Sequence, residues 1–298
     1  MKNDRKGCLI LPNFLIVGTM KAGTTSLFDI LNQHSQIYLP PQKELHFFDH
    51  DDQVNKGLEF YAQYFKDAGN TKAIGEASPS YLFYPEVAAR IYTMLGEKMR
   101  IIVLLRNPAE RAFSHYKMML ANGFEKRSFT EAITTNLQSL QKGINFDRVT
   151  SYLDRGFYAA QLRNYNQFFP KENIKIVLFE EDFAENRKRT IRQIQKFLGV
   201  DYENVVVSIK TMPTGKMRSA NLDQVLNTAH PVNQFFKKMI PSKKVRKWIK
   251  YWLNEANISE LIPRDELEAL KPKLINEVFY DDILETEKLI GRDLSRWR

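Results

Sequence analysis

Four short runs of the chain are apolar almost throughout: residues 13–18, 73–75, 100–105 and 174–179. They are rich in β-branched residues, as in Arg-Ile-Ile-Val-Leu-Leu at 100–105, the pattern of strands buried on both faces. Between them, apolar positions recur at helical spacing over 24–33, 57–66, 85–95, 108–121, 129–142, 158–168 and 184–198. The last of these ends at Gly199, a residue suited to a left-handed C-cap. Strands alternating with helices predict an α/β fold, a three-layer sandwich with a central parallel sheet. Ligands of such sheets bind where loops leave the carboxyl ends of strands, and Gly18, Glu76, Arg106 and Glu180 fall at such ends. Beyond about residue 210 the pattern changes. Residues 210–220 read as an irregular loop and 221–290 as entirely helical, with no further strand. One domain over 1–298 is expected, with an α/β core over about 13–220 and a helical C-terminal extension over about 221–298.

The first strand runs into a turn, Gly18-Thr19-Met20-Lys21-Ala22-Gly23-Thr24-Thr25. Gly18 and Gly23 have the spacing of a Walker A loop, but Thr24 stands where that loop has its lysine, and the cation is Lys21 inside the turn. Glycines let backbone N–H groups converge on an anion, and the helix opening at Thr24 adds the positive end of its dipole. A Walker lysine with a Ser/Thr-held magnesium ion serves a triphosphate. Moving the lysine suggests a nucleotide whose reacting group carries less charge.

A second constellation lies at 104–116. A strand delivers Arg106 to its carboxyl end, Pro108 suits the first turn of a helix, and Ser114 follows eight residues after Arg106. A guanidinium fork and a hydroxyl can converge on one phosphate, although Arg106 paired with a carboxylate is an equally ordinary arrangement.

Together these segments acquire a family likeness. Lys21-Ala22-Gly23-Thr24-Thr25-Ser26-Leu27, followed by Arg106-Asn107-Pro108 and Ser114, resembles the cofactor signature of sulfotransferases that use 3′-phosphoadenosine 5′-phosphosulfate. Lys43-Glu44-Leu45-His46-Phe47-Phe48-Asp49 is similar to the segment carrying the catalytic glutamate in the heparan sulfate branch. Gly75-Glu76-Ala77-Ser78-Pro79-Ser80-Tyr81 and Arg155-Gly156-Phe157-Tyr158 match that branch too. The resemblance covers roughly residues 13–220 and implies a soluble, bacterial kind of member.

The resemblance implies roles. Lys21 with Ala22, Gly23, Thr24, Thr25 and Ser26 would hold the 5′-phosphosulfate, and Arg106 and Ser114 the 3′-phosphate. Tyr158 joins the nucleotide contacts, and Lys216 and Arg218 match a later basic loop closing over the nucleotide. That loop departs from the family's usual Lys-Gly-Arg, since Gly-Lys-Met-Arg stands here. The product would be adenosine 3′,5′-bisphosphate. Glu44 is the expected general base, within about 3 Å of the acceptor proton. His46 would share its face if the segment were extended, and would either orient Glu44 or act as the base. Lys21 would stabilise charge on the bridging oxygen. Lys43, Glu76 and Ser78 are candidate acceptor contacts, Glu76 and Ser78 equally a helix cap before Pro79. No metal is expected, because a sulfuryl group carries less charge than a γ-phosphoryl and the histidines show no paired ligand spacing.

Composition narrows the surroundings. A net charge of +9 favours anionic ligands. The single cysteine, Cys8, excludes an internal disulfide and suits a reducing compartment. Without an apolar run of about 18 residues or a convincing signal peptide, a cytoplasmic protein is expected. Residues 237–250 carry seven cations and no carboxylate among aromatics. They read as an amphipathic helix packed through Val245, Trp248, Ile249 and Trp252, or as a contact for a membrane surface, a carrier protein or an anionic acceptor. The expected activity is sulfuryl transfer to a hydroxyl, less readily an amine, of a small molecule or sugar, without nucleic acid. The alternatives are a small-molecule kinase using ATP and a basic module binding nucleic acid or anionic lipid.

Overall fold

The computed structural model describes residues 9–142, 150–207 and 263–298, together with the backbone of 215–217 and 258–261. Its elements run β1 (Phe14–Gly18), α1 (Thr24–Leu31), β2 (Ile37–Tyr38), α2 (Asp51–Val54), α3 (Gly57–Ala62), β3 (Ala73–Ala77) and α4 (Pro85–Leu95). They continue with β4 (Arg100–Leu105), α5 (Pro108–Ala121), α6 (Phe129–Gln141), α7 (Tyr158–Phe168), β5 (Ile174–Leu178) and α8 (Arg187–Leu198). Last come β6 (Gly215–Met217), β7 (Ile258–Leu261), α9 (Asp265–Lys273) and α10 (Tyr280–Ile290). Among the described residues, no helix is long and apolar enough to cross a membrane.

Two compact units divide the chain. The first comprises 1–111, 155–210 and 274–298, and the second 112–154 and 211–273. In the first, five strands form a parallel sheet in the order β2-β3-β1-β4-β5. The chain leaves β1 to build one side and then crosses to build the other, so the loop after β1 emerges where the strand order reverses. Such a switch point opens a crevice at the carboxyl ends of the strands. Phe14 and Ile16 of β1, Ile102 and Leu104 of β4, Leu27 and Leu31 of α1 and Ile191, Ile194 and Leu198 of α8 pack in one core. The alternate strand residues Leu15, Val17, Ile101, Val103 and Leu105 are equally buried, as both faces of such a sheet must be. Outside that core, α4, α7 and α10 are tied together. Asn164 donates to the Pro85 carbonyl at 2.8 Å, and the Tyr158 N–H donates to Asp282 at 2.8 Å.

Gly75 opposes Phe14 across the β1–β3 pair, and a Cβ there would sit 2.5 Å from the Phe14 ring. Gly75→Ala is therefore expected to destabilise the protein by about 1–3 kcal/mol, the usual range for overpacking, read as a lower urea midpoint.

The second unit contains α6, whose Ser128 and Glu131 form a reciprocal capping box. Thr130 of α6 donates through its hydroxyl to Glu266 of α9 at 2.7 Å. Here the expectation of helix throughout 221–290 fails, because β6 and β7 pair antiparallel. A ribbon this short carries too few alternating positions to stand out as strand in a sequence. The units also do not divide at residue 220. The last stretch, 274–298, belongs with the sheet, where the Trp297 carbonyl accepts from Asn107 Nδ2 at 3.0 Å. The basic stretch 237–250 lies outside the described residues.

Candidate active site

The turn after β1 is shaped by two close approaches. A Cβ on Gly18 would lie 2.6 Å from Leu82 Cβ, so the turn can press against the Pro79–Leu82 segment only with glycine there. Gly23 has φ +91°, and a Cβ there would meet the Phe179 ring at 3.0 Å. Thr19 N–H donates to the Leu104 carbonyl at 2.7 Å, tying the turn to β4. Gly23 caps α1 without any side-chain acceptor, and the first turn of that helix holds no acidic residue. A left-handed glycine turn, a lysine within it and an acid-free helix start are what a phosphate needs.

Arg106, at the end of β4, donates through Nη1 to the Lys21 carbonyl at 3.1 Å, so the two predicted anion-binding cations share one corner. Its guanidinium lies over the Phe179 ring, 4.9 Å from the centroid, and near Glu110 and Glu180 at 3.5 and 4.0 Å. Both readings of Arg106 thus meet in one residue: it has carboxylate neighbours and stands beside the phosphate-type turn. Burial pushes the Glu180 carboxyl up, against hydrogen bonds from backbone N–H groups, one of them that of Asn107. Tyr158 is fully buried, and its hydroxyl donates to the Arg106 carbonyl at 2.7 Å, so it supports Arg106 from behind. Ser114 is half-buried on α5, in the second unit. Lys216 lies in β6 of that unit, and Arg218 is outside the described residues.

The segment carrying Glu44 and His46 is not a strand. Glu44 and His46 have φ of +61° and +52°, and Lys21 has +73°. Among the described residues these are the non-glycine residues with positive φ. The condition under which His46 would share a strand face with Glu44 is therefore not met. A left-handed turn brings the pair together instead, His46 Nε2 standing 3.8 Å from Glu44 Oε2. Such a conformation costs a non-glycine residue about 1–3 kcal/mol and persists where the surroundings over-determine it, typically at functional sites. Lys43 pairs with Glu44 through its ammonium group.

What holds the turn lies beneath it. The Glu44 N–H donates to the Ala77 carbonyl at 3.0 Å and the His46 N–H to Ser78 Oγ at 3.3 Å. The Phe47 and Phe48 N–H groups donate to the Tyr81 hydroxyl at 2.9 and 3.3 Å. Ser78 donates to Glu76 at 2.8 Å, as do Tyr81 at 2.8 Å and Tyr61 at 2.9 Å. Glu76 and Ser78 are buried, at 1% and 0% exposure, and neither caps a helix, the residues after Pro79 forming turns. Glu44 and His46 retain 45% and 38% exposure of their side chains. The second pair is open to solvent and the first is not.

His46 Nδ1 lies 2.9 Å from Asp49 Oδ2, which also accepts from Ser80 at 2.5 Å. The hydrogen bond to Asp49 raises the His46 pKa above the ordinary 6.5, against the opposing effect of burial, with Asp49, Glu44 and Glu76 adding their charge. Burial alone would raise Asp49, but its bonds to His46 and Ser80 hold it low. The pair is therefore charged between the acid range where Asp49 takes up a proton and the pH, above 6.5, where His46 loses one. Asp49→Asn is expected to lower the NMR titration midpoint of His46. It should also cost stability inside that window and progressively less as pH rises through the folded His46 value.

Sequence spacing gave no metal-ligand pattern, yet the turn brings one ligating atom each of His46, Asp49 and His50 within 4.8 Å of one another. Asp49, Ser80, Tyr61 and Tyr81 were not singled out from the sequence. An aspartate three residues after the histidine was the available signal for the first of them.

A phosphate-type turn at the sheet's switch point and an exposed carboxylate–imidazole pair over the end of β3 are parts that an α/β transferase of anionic groups uses. Residues 11–261 match the model of the sulfotransferase domain, and the chain belongs to that family. The family assignment sets the kinase alternative aside. A solved sulfotransferase from Alicyclobacillus acidocaldarius is 30% identical, with a TM-score of 0.68 over 97% of this chain and 99% of that one. Human heparan sulfate glucosamine 3-O-sulfotransferase 5 is 28% identical over 64% of this chain and 54% of its own length. A membrane-associated sulfotransferase of Dictyostelium discoideum is 42% identical over 36% of this chain and 23% of its own. The chain thus spans about a quarter to a half of these two curated relatives.

Proposed function

We propose that the chain transfers a sulfuryl group from 3′-phosphoadenosine 5′-phosphosulfate to a hydroxyl of a small-molecule or sugar acceptor, with Glu44 as general base. The observation that carries this reading is the coincidence of strain and chemistry: Lys21, Glu44 and His46 each take a left-handed backbone conformation. The residues present fit the donor, since the Gly23 cradle and the uncapped, acid-free start of α1 accept a phosphate. Lys21 and the N–H groups of residues 22–26 would hold the 5′-phosphosulfate, and Arg106 the 3′-phosphate. Bound, the nucleotide supplies the sulfuryl group, whose bond to the 5′-phosphate oxygen breaks as the acceptor oxygen bonds to sulfur.

Glu44 takes the acceptor proton as that bond forms. His46, whose hydrogen bond to Asp49 favours the cationic form, orients Glu44 across 3.8 Å. Lys21 steadies the charge left on the phosphate oxygen. Tyr158 steadies Arg106 through its carbonyl. Lys43, beside Glu44, is the remaining acceptor contact, and burial gives Glu76 and Ser78 a supporting part.

The test is transfer of labelled sulfate from the nucleotide to a panel of hydroxylated small molecules and sugars. Label is expected on a hydroxyl, and turnover should survive EDTA. Loss of turnover that a divalent cation restores would give His46, Asp49 and His50 a metal to hold. No transfer to any acceptor, with the protein folded, would remove the reading.

A further inference from the structure

Glu76 is a buried carboxylate with an unusual number of donors for a residue that no substrate can reach. Tyr61, Tyr81 and Ser78 donate to it at 2.9, 2.8 and 2.8 Å, and the Leu45 N–H donates as well. Burial raises its pKa above the ordinary carboxylate value, and these donors, which favour the ionised form, offset part of that rise. Two of the donors reach onward. Ser78 Oγ accepts the His46 N–H, and the Tyr81 hydroxyl accepts the N–H groups of Phe47 and Phe48. Through Leu45, His46, Phe47 and Phe48, four successive backbone N–H groups of the Glu44 turn are bound directly to Glu76 or to a side chain donating to it. Tyr61 is different: it donates to Glu76 and stacks on Phe47 at a centroid distance of 4.3 Å, but no backbone N–H of the turn reaches its hydroxyl.

We infer that Glu76 is a positioning residue for the transfer reaction, its carboxylate fixing the left-handed turn that presents Glu44 and His46. The backbone at 44 and 46 is costly to hold, and an isolated loop would relax out of it. A charged acceptor below the turn binds its donors more strongly than a neutral one. The order of the chain follows: β3 ends in Glu76 and Ala77, so the rigid sheet, rather than the loop, sets where the base stands.

This rests on the active-site reading above, and its test separates the two. Glu76→Gln keeps the volume and removes the charge. With the variant folded, adenosine 3′,5′-bisphosphate should bind within about twofold of the parent, while kcat falls about tenfold or more at little changed donor KM. The backbone amide NMR shifts of residues 45–48 should move, a readout that needs no acceptor and no turnover. Parent-like kcat and unmoved amide shifts would overturn the inference even if the parent is an active sulfotransferase. Conversely, moved amide shifts in Glu76→Gln of a parent that transfers nothing would leave the positioning of the turn and remove the reaction. Should Glu76→Gln not fold, Tyr81→Phe and Tyr61→Phe decide. Each removes one hydrogen bond to Glu76, but only Tyr81 also accepts from the turn. Tyr81→Phe should lower kcat more than Tyr61→Phe at matched thermal stability, whereas equal losses that track stability alone would mean a structural role.

Discussion

Glu44→Gln is expected to reduce sulfuryl transfer by about 10²-fold or more, with nucleotide binding nearly unchanged. The amide is isosteric and can still meet Lys43 and an acceptor hydroxyl, but it cannot take a proton. The His46 imidazole is not expected to substitute for it, because its bond to Asp49 favours the protonated form. His46→Ala should be milder, since the orienting contact is a 3.8 Å one and Glu44 keeps its own backbone conformation. Single-turnover assays with prebound donor separate this chemistry from binding and release. Turnover in Glu44→Gln comparable to the parent would take Glu44 out of the mechanism, and a larger loss in His46→Ala would move the base to His46.

Lys21→Ala should weaken donor binding by about 10- to 100-fold, the effect of losing a hydrogen bond to a charged group, and lower kcat further. The further loss arises because charge grows on the leaving phosphate oxygen as the sulfur departs, so the ammonium binds the transition state more strongly than the ground state. The fold should survive. Lys21 is half-buried in a turn that backbone hydrogen bonds help to hold, Thr19 to Leu104 and Ala22 to Thr19, with the Lys21 carbonyl accepting from the Arg106 guanidinium. Intact donor affinity in Lys21→Ala would show that binding is generic attraction to a basic protein, which salt should then abolish.

The sheet was legible because its strands are buried on both faces, and the sequence states this outright in Arg-Ile-Ile-Val-Leu-Leu, residues 100–105, which form β4. Helices 85–95, 108–121 and 158–168 likewise follow their apolar spacing. β2 escaped notice, since two residues, Ile37 and Tyr38, make no pattern. β6 and β7 escaped because a three- and a four-residue strand pair at long separation. The Glu44 segment was found by its residue types, yet its conformation was not readable. Left-handed backbone at Glu44 and His46 contradicts local preference and is imposed by Glu76, Ser78 and Tyr81, more than 30 residues downstream. The same distance hid the supporting role of Glu76, which alone reads as one acid at a strand end. Tyr158 shows the converse: its position in a family motif was visible, but only its bond to the Arg106 carbonyl says what it touches.

Isothermal titration with adenosine 3′,5′-bisphosphate, in EDTA, against ATP with and without magnesium, addresses the central claim that the Gly18–Thr25 turn is a phosphosulfate cradle. Tight, magnesium-independent binding of the bisphosphate with no comparable binding of ATP is the predicted result. Preferential, magnesium-dependent binding of ATP would contradict it.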